Sequence, residues 1–262
     1  MQDILDLEQY PLDDRTASAE LVARCRRELA DAGMFNLEGF VLPQPIKRAA
    51  EEISPQLAAD AYTHDRLHNV YFVDRVAGIP EDHPALVPVR STNHTLCGDQ
   101  LAGTLVERIY EWQPLIDFIA SVLGKARLYV MDDPLARINI LEYRPGEALN
   151  WHFDRSHFTT TLLIRAAEQG GEFEYRSELR TATDPNYEGV ARALRGEDPR
   201  IRINPLVAGT LNVFAGKNTL HRVSPVRGDR SRLIAVFSYY DKPGVAFSDA
   251  ERRGFYGRSV AR

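Results

Sequence analysis

The chain of 262 residues contains only two cysteines, Cys25 and Cys97. Two are too few for a disulfide framework, and they lack any paired metal-ligand spacing. Stapled secreted scaffolds and cysteine zinc sites are therefore excluded, and a reducing cytoplasm is the expected compartment. No stretch approaches the ~18 apolar residues of a membrane span, and the acidic opening MQDILDLEQYPLDD has no apolar leader segment. Basic charge is also short: 32 Lys and Arg against 37 Asp and Glu give a net charge of -5, with no sustained Lys/Arg run. That balance gives no electrostatic case for nucleic acid or an anionic membrane, and a small-molecule partner fits better. Nothing in the sequence sets an oligomeric state.

What is present is an ordinary globular mixture, 44% hydrophobic and 26% charged, long enough for one large domain or a core with a helical extension. Leu21, Val22, Leu29 and Ala30 recur at helical spacing and Gly33 follows as a stop, which predicts a helix over 17–32. MFNLEGFVLP reads as a short strand, and residues 45–59 as a second helix. Residues 60–95 hold scattered prolines and four of the seven histidines without a clean period, so irregular structure is expected there. Leu101, Leu105, Ile109, Trp112, Ile116, Ile119 and Leu123 predict one long helix, bent at Pro114 and capped by Gly124. After residue 126 the period changes to two. ARINILEY, FTTTLLI, GEFEYR, GTLNVF, TLHRVSPV and RLIAVFSYY read as strands punctuated by Gly and Pro, with a polar insertion over 180–200. The division expected is a helical region over 1–125 packed against an antiparallel β barrel over 126–262, an α+β arrangement.

His152 and Asp154 stand two apart in NWHFD, so on a strand they share a face with α-carbons roughly 6.5 Å apart. Both can reach one metal ion. His221, in NTLHRVSPV, is the candidate for a third ligand that would complete a facial two-histidine, one-carboxylate triad. A His-x-Asp pair is also found as a hydrogen-bonded surface couple, so the surrounding residues must decide.

Those residues carry a resemblance. YRPGEALNWHFD resembles the Tyr, Pro-Gly turn and His-x-Asp pattern of the Fe(II)/2-oxoglutarate-dependent oxygenases, in particular the prolyl-hydroxylase-like branch. GGEFEYR resembles the Gly-Gly strand that follows, though Glu174-Tyr175 replaces the usual Phe-Pro. GTLNVFAGKNTLHRVSPV resembles the strand pair bearing the distal histidine, and GDRSRLIAVFSYYD the last strand with its basic residue. The four motifs fall in order over about residues 138–241 and leave the N-terminal third uncovered. The resemblance implies a double-stranded β-helix (a jelly-roll, cupin-like barrel), Fe(II) held by His152, Asp154 and His221, and 2-oxoglutarate and O2 as co-substrates. The distal carboxylate of 2-oxoglutarate needs a guanidinium fork, for which Arg230 and Arg232 are candidates. Arg232 is preferred because RLIAVFSYYD then matches the last strand without a gap, and Tyr143 is expected to add a hydroxyl. Related iron halogenases carry Gly or Ala where Asp154 stands, so oxygen insertion or desaturation is expected rather than halogenation.

Outside the triad, Arg90 is the residue best suited to a substrate carboxylate, with His94, Arg155 and Tyr256 as further substrate candidates. Trp151 should point away from the metal, and His64, His68 and His83 form no second metal set. The leading reading is a hydroxylase of a small polar metabolite, such as a free amino acid. The competing readings are a peptidyl prolyl hydroxylase, a cupin-like metallohydrolase or isomerase using Zn or Mn, and an inactive barrel acting as a binding module. The metallohydrolase has no need of Arg232 and Tyr143, and a binding module gains nothing from three retained ligands.

Overall fold

The computed structural model describes residues 1–260. The chain opens with α1 (Ala19–Ala32), β1 (Met34–Leu37), α2 (Pro43–Asp60), β2 (Tyr62–His68) and β3 (Val89–Leu96). A single 3-10 turn (Gly98–Gln100), α3 (Leu105–Tyr110) and α4 (Gln113–Val122) follow. Strands then dominate: β4 (Tyr129–Val130), β5 (Ile138–Tyr143), β6 (Leu149–His152), β7 (Thr159–Arg165), β8 (Gln169–Gly170) and β9 (Phe173–Arg176). After α5 (Tyr187–Leu194) come β10 (Arg202–Asn204), β11 (Leu211–Phe214), β12 (Leu220–Val223), β13 (Val226–Arg227), β14 (Arg232–Phe237), β15 (Tyr239–Tyr240) and α6 (Asp249–Tyr256).

Two antiparallel sheets hold eleven of these strands, and β13-β8 and β15-β4 form two further short pairs. The larger has seven strands in the order β1-β11-β7-β14-β5-β3-β2, and the smaller four, β10-β9-β12-β6. Period-two alternation gives each strand of the larger sheet two destinations. Leu233, Ala235 and Phe237 of β14, like Ile138 and Ile140 of β5, join the main core with α1 to α4. Each fully buried Leu or Ile there contributes about 1.5–3 kcal/mol. The opposite parity, Ile234 of β14 and Tyr143 of β5, packs with Val223 of the smaller sheet. Met34 and Phe214 likewise meet Phe173 and Tyr175 across the gap. The sheets thus face each other, and the helices cover the outside of the larger one.

Two sequence expectations are corrected. Residues 60–95 are not irregular throughout, because β2 and β3 occupy both ends and pair from Tyr62↔Thr95 to His68↔Val89. Their inward positions are polar, which hid the strand period. The long helix over 99–123 is three pieces: Gly103 takes a left-handed φ of 80°, Thr104 caps α3 by accepting from the Glu107 N–H, and Pro114 sits in the first turn of α4. A proline fits a helix's first turn, where its missing N–H costs nothing, better than its interior. The first 125 residues therefore supply three strands of the larger sheet as well as the helical layer.

Candidate metal centre

His152 and His221 are cross-strand partners in β6 and β12 of the smaller sheet, with ring centroids 4.1 Å apart. β6 ends at His152, and Asp154 continues beyond it, its N–H donating to the Gly216 carbonyl at 3.1 Å. The ring Nδ1 of His152 lies 2.8 Å from the Asn150 carbonyl, and that of His221 2.9 Å from the Thr219 carbonyl. A carbonyl only accepts, so each ring keeps its proton on Nδ1 and turns an Nε2 lone pair inward. Both Nε2 atoms face Asp154 Oδ1, at 3.4 and 3.5 Å. The other carboxylate oxygen, Oδ2, accepts from the Thr159 hydroxyl at 2.5 Å. Gly216 leaves room for this carboxylate, since a Cβ there would press into Asp154 Oδ2.

The electrostatics suit a cation. Burial, reinforced by His221, lowers the pKa of His152 and keeps it neutral. Burial alone would raise the Asp154 carboxyl, but His221 and His152 outweigh it and hold the group well below the usual carboxylate range. An ionised oxygen and two imidazole lone pairs, all within 4.8 Å of one another, converge on one point. Among the described residues no other group of three His, Cys, Asp or Glu side chains does so.

Arg232 and Tyr143 are directly paired across β14 and β5. Ile234 pairs with Leu163 and Val236 with Thr161, so Arg232 shares the inward face of the larger sheet with Thr159. The Arg232 side chain is only 2% exposed, and its Nη1 has no hydrogen-bond partner. Burial lowers its pKa to about 10, against a partial opposing effect of Tyr143, so it stays protonated at neutral pH. Burial likewise raises the Tyr143 hydroxyl to about 12. Gly171, at φ 62°, makes space for the Arg232 side chain, whose Cδ would lie 3.0 Å from any Cβ there. Arg230 is exposed and spends its guanidinium on the Ala166 and Ala167 carbonyls.

The substrate candidates scatter. Arg90 is exposed and pairs with Asp65 at 2.9 Å, so it is not brought to the triad. His94 points to the outward side of β3, between Thr63 and Glu147. Arg155 is exposed and pairs with Glu251 of α6, and Tyr256 donates to Asn139 Oδ1 at 2.9 Å. Trp151 lies under the Arg222 guanidinium, 4.8 Å away. The sequence reading missed His68 and Phe72, whose rings lie 6.3 and 6.0 Å from that of His152, and Thr159. The alternation of Tyr62, His64, Arg66 and His68 was the signal that places β2's polar side chains inward.

Residues 94–248 match the family model described as Halogenase D, and the chain belongs to that family. Its fold is that of the 2OG-Fe(II) oxygenases. A 2OG-Fe(II) oxygenase family oxidoreductase from Burkholderia pseudomallei is 16% identical with a TM-score of 0.51, over 86% of this chain and 92% of that one. A prolyl-4-hydroxylase from Pseudomonas putida is 16% identical with a TM-score of 0.50, over 82% and 97%. The non-heme alpha ketoglutarate dependent epimerase SnoN from nogalamycin biosynthesis is 13% identical with a TM-score of 0.57, over 85% and 84%. No curated protein matches the chain.

Proposed function

We propose that the two facing sheets form a double-stranded β-helix, and that the protein is an Fe(II)- and 2-oxoglutarate-dependent oxygenase hydroxylating an unactivated C–H bond of a small polar metabolite. Residues 126–262, the last two of which lie outside the described residues, form the catalytic core in this reading, and residues 1–125 its wall. The observation that carries it is Arg232. A buried guanidinium with an unpartnered Nη1, on the inward face that also bears Thr159, is suited to an anion, and a metallohydrolase has no use for it.

The donor set fits the metal. Two imidazoles and one carboxylate are the ligand types of a non-haem Fe(II) centre with open positions. When bound, iron and 2-oxoglutarate supply the oxidising power, O2 and the keto acid being converted to succinate, CO2 and one oxygen atom for the substrate. The chain's own residues set the geometry. Asn150 and Thr219 carbonyls fix the two imidazole tautomers, and Thr159 holds Asp154 Oδ2 so that Oδ1 alone faces the histidines. Arg232 receives the distal carboxylate of 2-oxoglutarate, with the Tyr143 hydroxyl beside it. Phe173 and Phe214 flank His221 at 5.5 and 4.9 Å and keep water from that side.

The family's description names a halogenase, yet Asp154 fills the position that a halide would need. Hydroxylation or desaturation is therefore the reading. Adding Fe(II) and then 2-oxoglutarate without oxygen tests it: a visible metal-to-ligand charge-transfer band is expected, followed by succinate formation with members of an amino-acid panel. No band sinks the oxygenase reading.

A further inference from the structure

Arg66 lies on the inward face of β2, directly opposite Ser91 of β3. Three other arginines are satisfied. Arg90 has Asp65, Arg155 has Glu251, and Arg180 donates to the Lys217 and Asp154 carbonyls. Arg66 has no hydrogen-bond or ion-pair partner among the described residues; its surroundings are burial and a second cation, Arg155, which together lower its pKa. Two aromatic rings lie near the guanidinium. Its carbon sits 4.6 Å from the Phe72 centroid and 5.9 Å from that of Phe255 in α6. Arg155 lies 5.4 Å from the same Phe255 ring, so two cations share one aromatic, and Glu251 pairs with Arg155.

Phe72 links this group to the metal centre. Its ring stacks on His68 at 4.6 Å and 16°, and meets His152 edge-on at 6.0 Å. His68 is itself fixed by the Ser91 hydroxyl at 2.6 Å and the Asn69 carbonyl at 3.1 Å. Phe72 is 43% exposed and holds a φ of 56°, a left-handed conformation that a bulky residue rarely adopts. Strain of this kind persists where the surroundings over-determine it, which is common at ligand sites. A large ring is thus held in a costly conformation, half open to solvent, between an uncompensated guanidinium and a candidate iron ligand.

We propose that Arg66 is the anion site of the substrate: a small organic anion, with a carboxylate the group best matched to the guanidinium fork, binds there and lays its carbon skeleton along Phe72 toward His152. This rests on the oxygenase reading for its place in catalysis, though anion binding is measurable without turnover. The bland alternative is that Arg66 only clamps Phe72 and Phe255 by cation–π contact. The two differ in sign. A clamp stabilises the ligand-free protein, whereas an unpaired cation beside Arg155 does not, and removing it leaves stability unchanged or raised.

The test uses the full chain and three probes, phenylacetate, phenyl phosphate and benzenesulfonate, with neutral phenylacetamide as control, followed by calorimetry and saturation-transfer NMR. At least one anion binds the wild type; Arg66→Gln weakens it roughly tenfold or more, Arg66→Lys less, and phenylacetamide does not bind. Arg232→Met leaves the anion bound, which separates this site from that of 2-oxoglutarate. The ligand-free melting temperature of Arg66→Gln matches or exceeds that of wild type. Failure of all three anions, equal binding by Arg66→Gln or by phenylacetamide, loss of binding in Arg232→Met alone, or a lowered melting temperature in ligand-free Arg66→Gln overturns the proposal. The Fe(II)/2-oxoglutarate charge-transfer band keeps the two readings apart. Its absence in wild type sinks the oxygenase alone, whereas its retention in Arg66→Gln beside lost anion binding places Arg66 with the substrate.

Discussion

Replacing Arg232 by Met should do two opposite things. In the ligand-free protein Arg232 is a cation 2% exposed, with Nη1 unpartnered and the Tyr143 ring 5.9 Å from the guanidinium carbon. An unpaired buried charge costs free energy, so an apolar side chain of similar length should leave stability unchanged or raise it. Binding behaves differently. One charge-assisted pair is worth about 1.5–3 kcal/mol, which corresponds to roughly 10- to 150-fold weaker 2-oxoglutarate binding in the variant. At a ligand concentration about 100 times the wild-type Kd, linkage stabilises wild type by about 2.7 kcal/mol, and the variant by only about 0.3–1.4 kcal/mol. For a chain of this size each kcal/mol moves Tm by about 2–4 °C, so an upward shift of about 5–11 °C should shrink to a few degrees at most. The assay is thermal melting with Mn(II) in place of Fe(II), with and without 2-oxoglutarate, and Arg230→Ala as the control that keeps the full shift. Two results would refute the reasoning: an undiminished shift in Arg232→Met, or a ligand-free variant several degrees less stable than wild type. The second would mean that Arg232 is a satisfied structural group.

The remaining predictions are brief. His152→Ala and His221→Ala should each abolish or severely weaken Fe(II) binding, and undiminished affinity in both by metal titration would show that the triad is not the iron site. Asp154→Gly should lower hydroxylation without creating a halogenase, since a halide also needs its own pocket; full hydroxylase activity would show that Asp154 is no ligand. Thr159→Val frees Asp154 Oδ2 and should weaken Fe(II) binding while the fold, monitored by circular dichroism, is retained. An unchanged iron affinity would remove Thr159 from the site. Burial lowers His68 from an ordinary 6.5 to about 4. The unfolded chain therefore takes up this proton first, and stability is lost as pH falls from about 6.5 to 4, not as it rises. His68→Gln should flatten the Tm profile across that interval, and an unchanged slope would show that His68 is not the group responsible.

The sequence by itself determined the strands after residue 126 and the order of the motifs, because a half-buried strand must alternate and a tight turn must have its Gly or Pro. It also named His152, Asp154 and His221 as candidates, since two possible ligands at x-plus-two spacing and a third in a later strand leave a local trace. It preferred Arg232 to Arg230 on an ungapped strand match but could not separate them by parity. Burial separates them: Arg232 lies inside with an unpartnered nitrogen, while Arg230 hydrogen-bonds two carbonyls at the surface. Only the tertiary structure decided the rest. β2 and β3 looked irregular because a site-facing strand carries His64, Arg66, His68, Ser91 and Asn93 where a core strand would carry apolar residues, and that erases the hydrophobic period. Arg90 has the same chemistry as Arg66 and lies in the partner strand, yet it turns outward to Asp65 while Arg66 turns inward to Phe72. Pairing register alone assigns each guanidinium to its face, and register is a property of which strands meet, which no single stretch of sequence contains.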